Sequence, residues 1–160
     1  MLRPVLDQDD LLIIHELANR IWWATYRDYL DPLQIETMLE DMYTVESLSR
    51  QQASGTAFTF WLWEGEPAGF AGYAVQEPGV MRIEKLYVLP EKQGHGAGRE
   101  LVEHVIGEAK KQGVNLIELN VNRYNPAQDF YRRLGFTIVS EVDIPYETFF
   151  LNDYVMQKKI

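Results

Sequence analysis

The sequence predicts a single α/β domain whose mixed central sheet of about seven strands is flanked by helices. Three observations carry this. The 160-residue chain has no internal repeat, low-complexity tract or linker-like stretch, and a domain of this length buries about two-thirds of the surface its unfolded chain exposes. Its hydrophobic spacing switches between helical and strand periods in the order β, three helices, β-β-β, α, β, α, β-β. Hairpin-linked strands followed by strand–helix–strand units require both antiparallel and parallel pairing, with helices on both faces.

Residues Met1 to Leu6 form a short first strand. From Gln8 to Tyr26 the positions Leu11, Ile14, Leu17, Ala18, Ile21, Trp22 and Thr25 recur at three and four residues. That is a helix, with Asp7 as its N-cap. Asp31-Pro32 starts a second helix, Asp31 capping and Pro32 at its first position. Its stripe is Ile35, Met38, Leu39 and Met42. A third helix follows Thr44, where Ser47, Leu48 and Gln51 continue the period. Trp22 and Met38, at this spacing, are core residues.

Thr56 to Glu64 is dense in aromatic, β-forming residues and reads as a strand. Gly65-Glu66-Pro67 reads as a turn, Ala68 to Gln76 as the return strand. Glu77-Pro78-Gly79 then breaks the chain before Val80 to Leu89, the third strand of a meander. Gly96 to Gln112 is a helix with Leu101, Val102, Val105, Ile106 and Ala109 on one face, closed by Gly113. Val114 to Val121 is a strand, Pro126 to Leu134 a short helix and Phe136 to Val142 a strand. Tyr146 to Lys158 reads as a last strand with a bend.

Composition excludes several classes. With 46% hydrophobic and 24% charged residues the chain is globular, not disordered or fibrous. It has no cysteine, so no disulfide framework and no thiolate metal site, and a cytoplasmic location is expected. Asp7, Asp9 and Asp10 interrupt the only stretch that could start an export signal. The run Leu11 to Ile14 is far short of the ~20 residues of a membrane span, so no membrane role is expected. The histidines His15, His95 and His104 lack metal-ligand spacing, and no metal is expected.

The net charge is −9 and unevenly placed. Residues 1–56 carry ten acids against four bases, whereas residues 85–133 carry eight bases against six acids. Nucleic acid as the main partner is disfavoured, because phosphate binding needs a basic face. An acidic front and a mildly basic middle suit a cation and a polyanion at separate places.

The most informative segment runs from Leu86 to Arg99, a strand, a Pro-ended turn, and glycines that open a helix. Gly94, Gly96 and Gly98 remove side chains where the backbone approaches something closely. Free N–H groups at the helix start form an anion site. A P-loop needs Gly-Lys-Ser/Thr, whereas here Gly98-Arg99-Glu100 follows. The dinucleotide fingerprint needs a last glycine and meets Arg99 or Leu101 instead.

The pattern that fits, Gln93-Gly94-His95-Gly96-Ala97-Gly98, resembles the pyrophosphate loop of the GNAT superfamily of N-acetyltransferases, which binds acetyl-coenzyme A. The run from Asn125-Pro126-Ala127 through Phe130-Tyr131 to Leu134-Gly135-Phe136 resembles that family's second signature. Most members have one more residue between the Asn and the Ala, so Asn122 or Tyr124 could share the cofactor contact of Asn125. The resemblance implies that residues 1–160 are one N-acetyltransferase domain. It also implies that the fourth and fifth strands, Val80–Leu89 and Val114–Val121, splay apart. Backbone groups of Leu86, Tyr87 and Val88 would then meet the pantetheine amides. Gln93, Gly94, His95, Gly96, Ala97, Gly98 and Arg99 would hold the pyrophosphate.

The reaction so implied is direct attack of a neutral amine on the thioester carbonyl through a tetrahedral oxyanion. The Val88 N–H is the oxyanion donor. Tyr131 is the acid that protonates the departing thiolate; its plainer reading is an aromatic that packs the last helix. Glu84 is the candidate base, or else an exposed strand carboxylate near Arg82 and Lys85. The lack of cysteine excludes an acyl-cysteine intermediate.

The run Trp22-x-x-x-Tyr26-x-x-Tyr29-Leu30, followed by Met38-Leu39-x-x-Met42-Tyr43, resembles a bacterial branch whose best-known members acetylate spermidine and spermine. That points to a small-molecule amine acceptor, with Tyr26, Tyr29, Glu40 and Asp41 lining its cleft by charge or cation–π contact. A peptide or protein amine is the alternative, and so is a regulator that binds acetyl-coenzyme A without turning it over. The exposed ends of a mixed sheet make a homodimer reasonable.

Overall fold

In the computed structural model, which describes all 160 residues, the chain begins with β1 (Leu2–Pro4), α1 (Gln8–Tyr26), α2 (Pro32–Met42) and α3 (Val45–Ala53). The meander β2 (Ala57–Trp63), β3 (Glu66–Glu77) and β4 (Val80–Val88) follows. A short 3-10 turn at Pro90–Lys92 leads to α4 (Ala97–Lys111), β5 (Leu116–Asn122), α5 (Ala127–Arg133), β6 (Thr137–Tyr146) and β7 (Phe149–Lys159). The seven strands form one sheet in the order β1-β2-β3-β4-β5-β7-β6. Only β4 and β5 pair in parallel. No helix is long and apolar enough to cross a membrane.

The helix starts follow the capping chemistry. Asp7 accepts the Asp10 N–H, Asp31 the Leu33 N–H and Thr44 the Ser47 N–H, each satisfying an orphan donor of the first turn. Helices α1–α3 cover one face of the sheet: Trp22 lies against Tyr87, and Tyr43 against Phe70. The other face carries α4, where Glu100 accepts the Trp61 indole N–H and His104 meets the Tyr73 hydroxyl. Trp22 and Met38 are buried, as their spacing predicts.

Two turns differ most from the sequence reading, each for a local reason. The β2–β3 turn is Glu64-Gly65, both at positive φ, the mirror-type turn that matches strand twist. Glu66 and Pro67 therefore belong to β3. Pro67 is tolerated because it sits opposite Leu62 at a register shift, while pairing with β4 starts only at Gly69. Finally, β6 runs on through Pro145 to Tyr146, which β6 allows as the sheet's edge. The turn comes at Glu147, and the irregularity lies in β6 at Ile138/Ser140 rather than in β7.

Candidate active site

The parallel pair β4–β5 holds only from Val80↔Leu116 to Ile83↔Leu119, although both strands continue beyond it. Pairing stops at a bulge. On the other side of β4 the register jumps from Tyr73↔Ile83 to Gly72↔Lys85, so Glu84 has no partner on β3. A bulge adds twist, and here it coincides with the point where β4 leaves β5. It also turns Lys85 and Tyr87 toward α1–α3, Lys85 over the rings of Tyr43 and Phe58 and Tyr87 beside Trp22. The parted strands open a cleft of about 940 Å³ between α1, α2, α4, α5 and the sheet.

Backbone lines one end of this cleft. Leu89 donates its N–H to Ala68 on β3, and by the alternation of an antiparallel ladder so does Tyr87 to its partner Phe70. The backbone groups of Leu86 and Val88 therefore face the gap, and those of Tyr87 do not. The Val88 carbonyl meets only the Gln93 side chain, at 3.4 Å. At the start of α4 the N-cap is Gly96, which has no side chain to cap with. The first helical hydrogen bond is Glu100 N–H to Gly96, which leaves the N–H groups of Ala97, Gly98 and Arg99 unpaired. Three converging donors with the positive end of the helix dipole fit a pyrophosphate, and the open amides of β4 fit an amide-bearing arm.

The glycines serve two ends. Gly94 and Gly96 hold φ of +85° and +81° with open space around them, a conformation that L side chains rarely adopt. Gly98 has ordinary φ, and a Cβ there would lie 2.7 Å from the Phe130 ring. It lets α5 close against α4.

That closure seats Tyr131 in the cleft wall, 7% exposed. Burial holds its phenol well above the ordinary range, so the hydroxyl keeps its proton. The hydroxyls of Tyr26 and Tyr87 meet at 2.9 Å. Burial first, and then neighbouring phenols that include Tyr131, raises both. Asn125, just ahead of the α5 N-cap Pro126, accepts the Ala127 N–H at 2.9 Å while lining the cleft. Asn122 accepts the Tyr124 N–H.

Side chains build the other end. Met38 and Met42 of α2, Asn120 and Asn122 of β5, and Leu151 and Asp153 of β7 all line the cleft. Two carboxylates line the cleft, each held by one oxygen only. Glu84 Oε1 accepts from the Thr56 hydroxyl at 2.7 Å. Asp153 Oδ2 accepts from Asn120 at 3.3 Å, and burial raises its carboxyl above the usual range. Asn120, Arg123 and Arg82 pull it the other way without offsetting the burial, and the Arg82 guanidinium is itself held by Glu118 and Asn120.

The cleft gathers Glu84, Leu86, Tyr87, Val88, Gln93, Gly94, Gly96, Ala97, Gly98, Arg99, Asn125, Tyr131 and Tyr26. It does not gather His95, whose ring stacks on Trp63 at 4.4 Å. Nor does it gather Tyr29, whose hydroxyl is buried without a partner and is raised to about 12 by burial and then Asp28. Glu40 is exposed, and Asp41 instead accepts from Tyr146 of β6 at 2.6 Å, tying α2 to the β6–β7 hairpin. Asp153 and Thr56 had no signal in the sequence, since neither belongs to a motif and both meet their partners only through the sheet.

A profile of the acetyltransferase (GNAT) family matches residues 15–136. The PaiA N-acetyltransferase of Thermoplasma acidophilum, solved in complex with coenzyme A, superposes with a TM-score of 0.85 at 25% identity, covering 100% of this chain and 98% of that one. An uncharacterised N-acetyltransferase of Mycobacterium tuberculosis is 32% identical over 98 residues, 61% of this chain and 63% of its own length. The peptidyl-lysine N-acetyltransferase YjaB of Escherichia coli is 34% identical over 80 residues, 49% of this chain and 48% of that protein. The chain spans under two thirds of the length of both curated relatives.

Proposed function

Because the chain belongs to the acetyltransferase (GNAT) family, we propose that it moves an acetyl group from acetyl-coenzyme A directly to a primary amine of a small cationic acceptor, of the polyamine kind. The observation that carries this is the convergence of three things in one cleft: open β4 backbone, the unpaired N–H groups of α4, and the protonated Tyr131 hydroxyl.

Acetyl-coenzyme A, when bound, supplies the acetyl group as an activated thioester. The N–H groups of Ala97, Gly98 and Arg99 bind its pyrophosphate, and Leu86 and Val88 pair with its amides. The Val88 N–H donates to the thioester oxygen, where negative charge develops as the amine attacks. The open Oε2 of Glu84 takes the amine proton, directly or through water. As the C–S bond breaks, Tyr131 gives its proton to the sulfur.

Two features support a cationic acceptor: the open oxygens of Glu84 and Asp153 in the cleft, and the acidic first third of the chain. A peptide lysine is the second reading, supported by the similarity to the peptidyl-lysine enzyme of E. coli. The test is release of free thiol from acetyl-coenzyme A in the presence of diamines, monoamines and lysine peptides. Release with diamines supports the first reading, and release with peptides alone moves the acceptor to the second. Binding of coenzyme A without release for any amine leaves a non-catalytic sensor of acetyl-coenzyme A.

A further inference from the structure

We propose that Thr56 is a positioning residue, which aims the Glu84 carboxylate at the acceptor. This rests on Glu84 being the base. Thr56 lies just ahead of β2 and is 28 residues away from Glu84 in sequence, yet its hydroxyl donates to Oε1 at 2.7 Å. The bulge in β4 makes the contact available, because it frees Glu84 from the β3 ladder.

Thr56 is itself fixed. It is buried, and its N–H donates to the Gln51 carbonyl at the end of α3 at 3.0 Å. The Gln51 side chain accepts from the buried Lys85 ammonium at 2.6 Å and donates to the Met42 carbonyl at 2.8 Å. The result is a closed circuit: Thr56 to Glu84, Glu84 along the strand to Lys85, Lys85 to Gln51, and Gln51 back to Thr56. Every link has a partner except Oε2 of Glu84, which no hydrogen bond holds, and Glu84 lines the cleft. A carboxylate pinned by one oxygen presents the other in a fixed direction.

The charged and titratable groups around Glu84 are few. Lys85 follows it on β4, Arg50 of α3 lines the groove that Glu84 and Thr56 share, and Tyr43 closes α2. The nearby faces of β2 and β3 add none to that groove.

The test compares Thr56→Val, Thr56→Ser and Glu84→Gln by kcat and by KM for each substrate, with an amine the wild-type protein acetylates. Glu84→Gln is expected to lower kcat about 100-fold or more. Thr56→Val is expected to lower kcat about tenfold, because a carboxylate without its anchor samples directions away from the acceptor. KM for acetyl-coenzyme A should stay within about twofold of wild type, since Thr56 is remote from the pyrophosphate end. Thr56→Ser restores the rate. Thr56→Ala, which only removes atoms, serves if the valine variant does not fold. An unchanged kcat in both the valine and alanine variants, with Glu84→Gln inactive, overturns the role of Thr56 alone. Near wild-type activity of Glu84→Gln overturns the base assignment, and this inference with it.

Discussion

At the α4 end of the cleft the ligand-facing groups are backbone: three N–H groups of a helix start and the open edge of Leu86 and Val88. At the α2 end they are side chains drawn from α1, α2, β4, β5 and β7. The first end needs few particular side chains but demands special φ and close packing, hence glycines at fixed spacing. The second needs no special backbone apart from one bulge, and its character comes from which side chains the sheet brings together. A backbone-built site is suited to what every turnover shares, the phosphates and amides of one cofactor. A side-chain-built site can change with the acceptor while the fold stays the same.

Tyr131 lies where the two ends meet, and its replacement tests that junction most severely. Tyr131→Phe is expected to lower kcat about 100-fold, the loss of a general acid, while coenzyme A affinity by calorimetry stays within about twofold. A variant that turns over normally would take Tyr131 out of the chemistry and leave it as packing against Phe136, whose ring centroid is 5.7 Å away.

Gly98→Ala sharpens the backbone side. The new Cβ would press on Phe130 at 2.7 Å, so overpacking should cost about 1–3 kcal/mol of stability. Displacement of the α4 start should weaken coenzyme A binding about tenfold. Thermal denaturation and calorimetry read the two effects separately, and unchanged affinity would mean the helix start does not hold the phosphates.

Asp153→Asn addresses the side-chain end. It should raise KM for a cationic acceptor about fivefold, within the range of one partly buried charge-assisted contact, and leave KM for acetyl-coenzyme A alone. Burial raises the Asp153 carboxyl above its usual range, so it is charged above that raised pKa and neutral below it. Acceptor KM in the wild-type protein should therefore start to climb on acidification at a higher pH than an ordinary carboxylate would give. A KM flat with pH into the ordinary carboxylate range contradicts this.

The smallest effect belongs to Tyr26→Phe, which removes one side of the 2.9 Å contact with Tyr87. The expected loss is about 1 kcal/mol of stability, with little change in acceptor KM. A large KM change with unaltered stability would turn Tyr26 from a wall of the cleft into a binding group.

The same contrast explains what the residue order made legible. Gln93 to Gly98 could be read because glycines at positive φ leave a spacing in the sequence, and the helix caps Asp7 and Asp31 could be read because capping is local. The bulge at Glu84 could not, since nothing in Arg82-Ile83-Glu84-Lys85 marks the residue that loses its partner. Thr56 and Asp153 join the site only after the sheet has set its register. Tyr29 and His95 fit an aromatic or loop pattern, and the structure spends them on burial and on Trp63 instead.

Initial rates measured over a grid of acetyl-coenzyme A and amine concentrations test the meeting of both substrates in one cleft most directly. Direct transfer from thioester to amine, with no acyl-enzyme between, predicts double-reciprocal lines that intersect. Parallel lines, together with release of free thiol before any amine is added, would mean that the acetyl group rests on the protein first, and would contradict direct transfer.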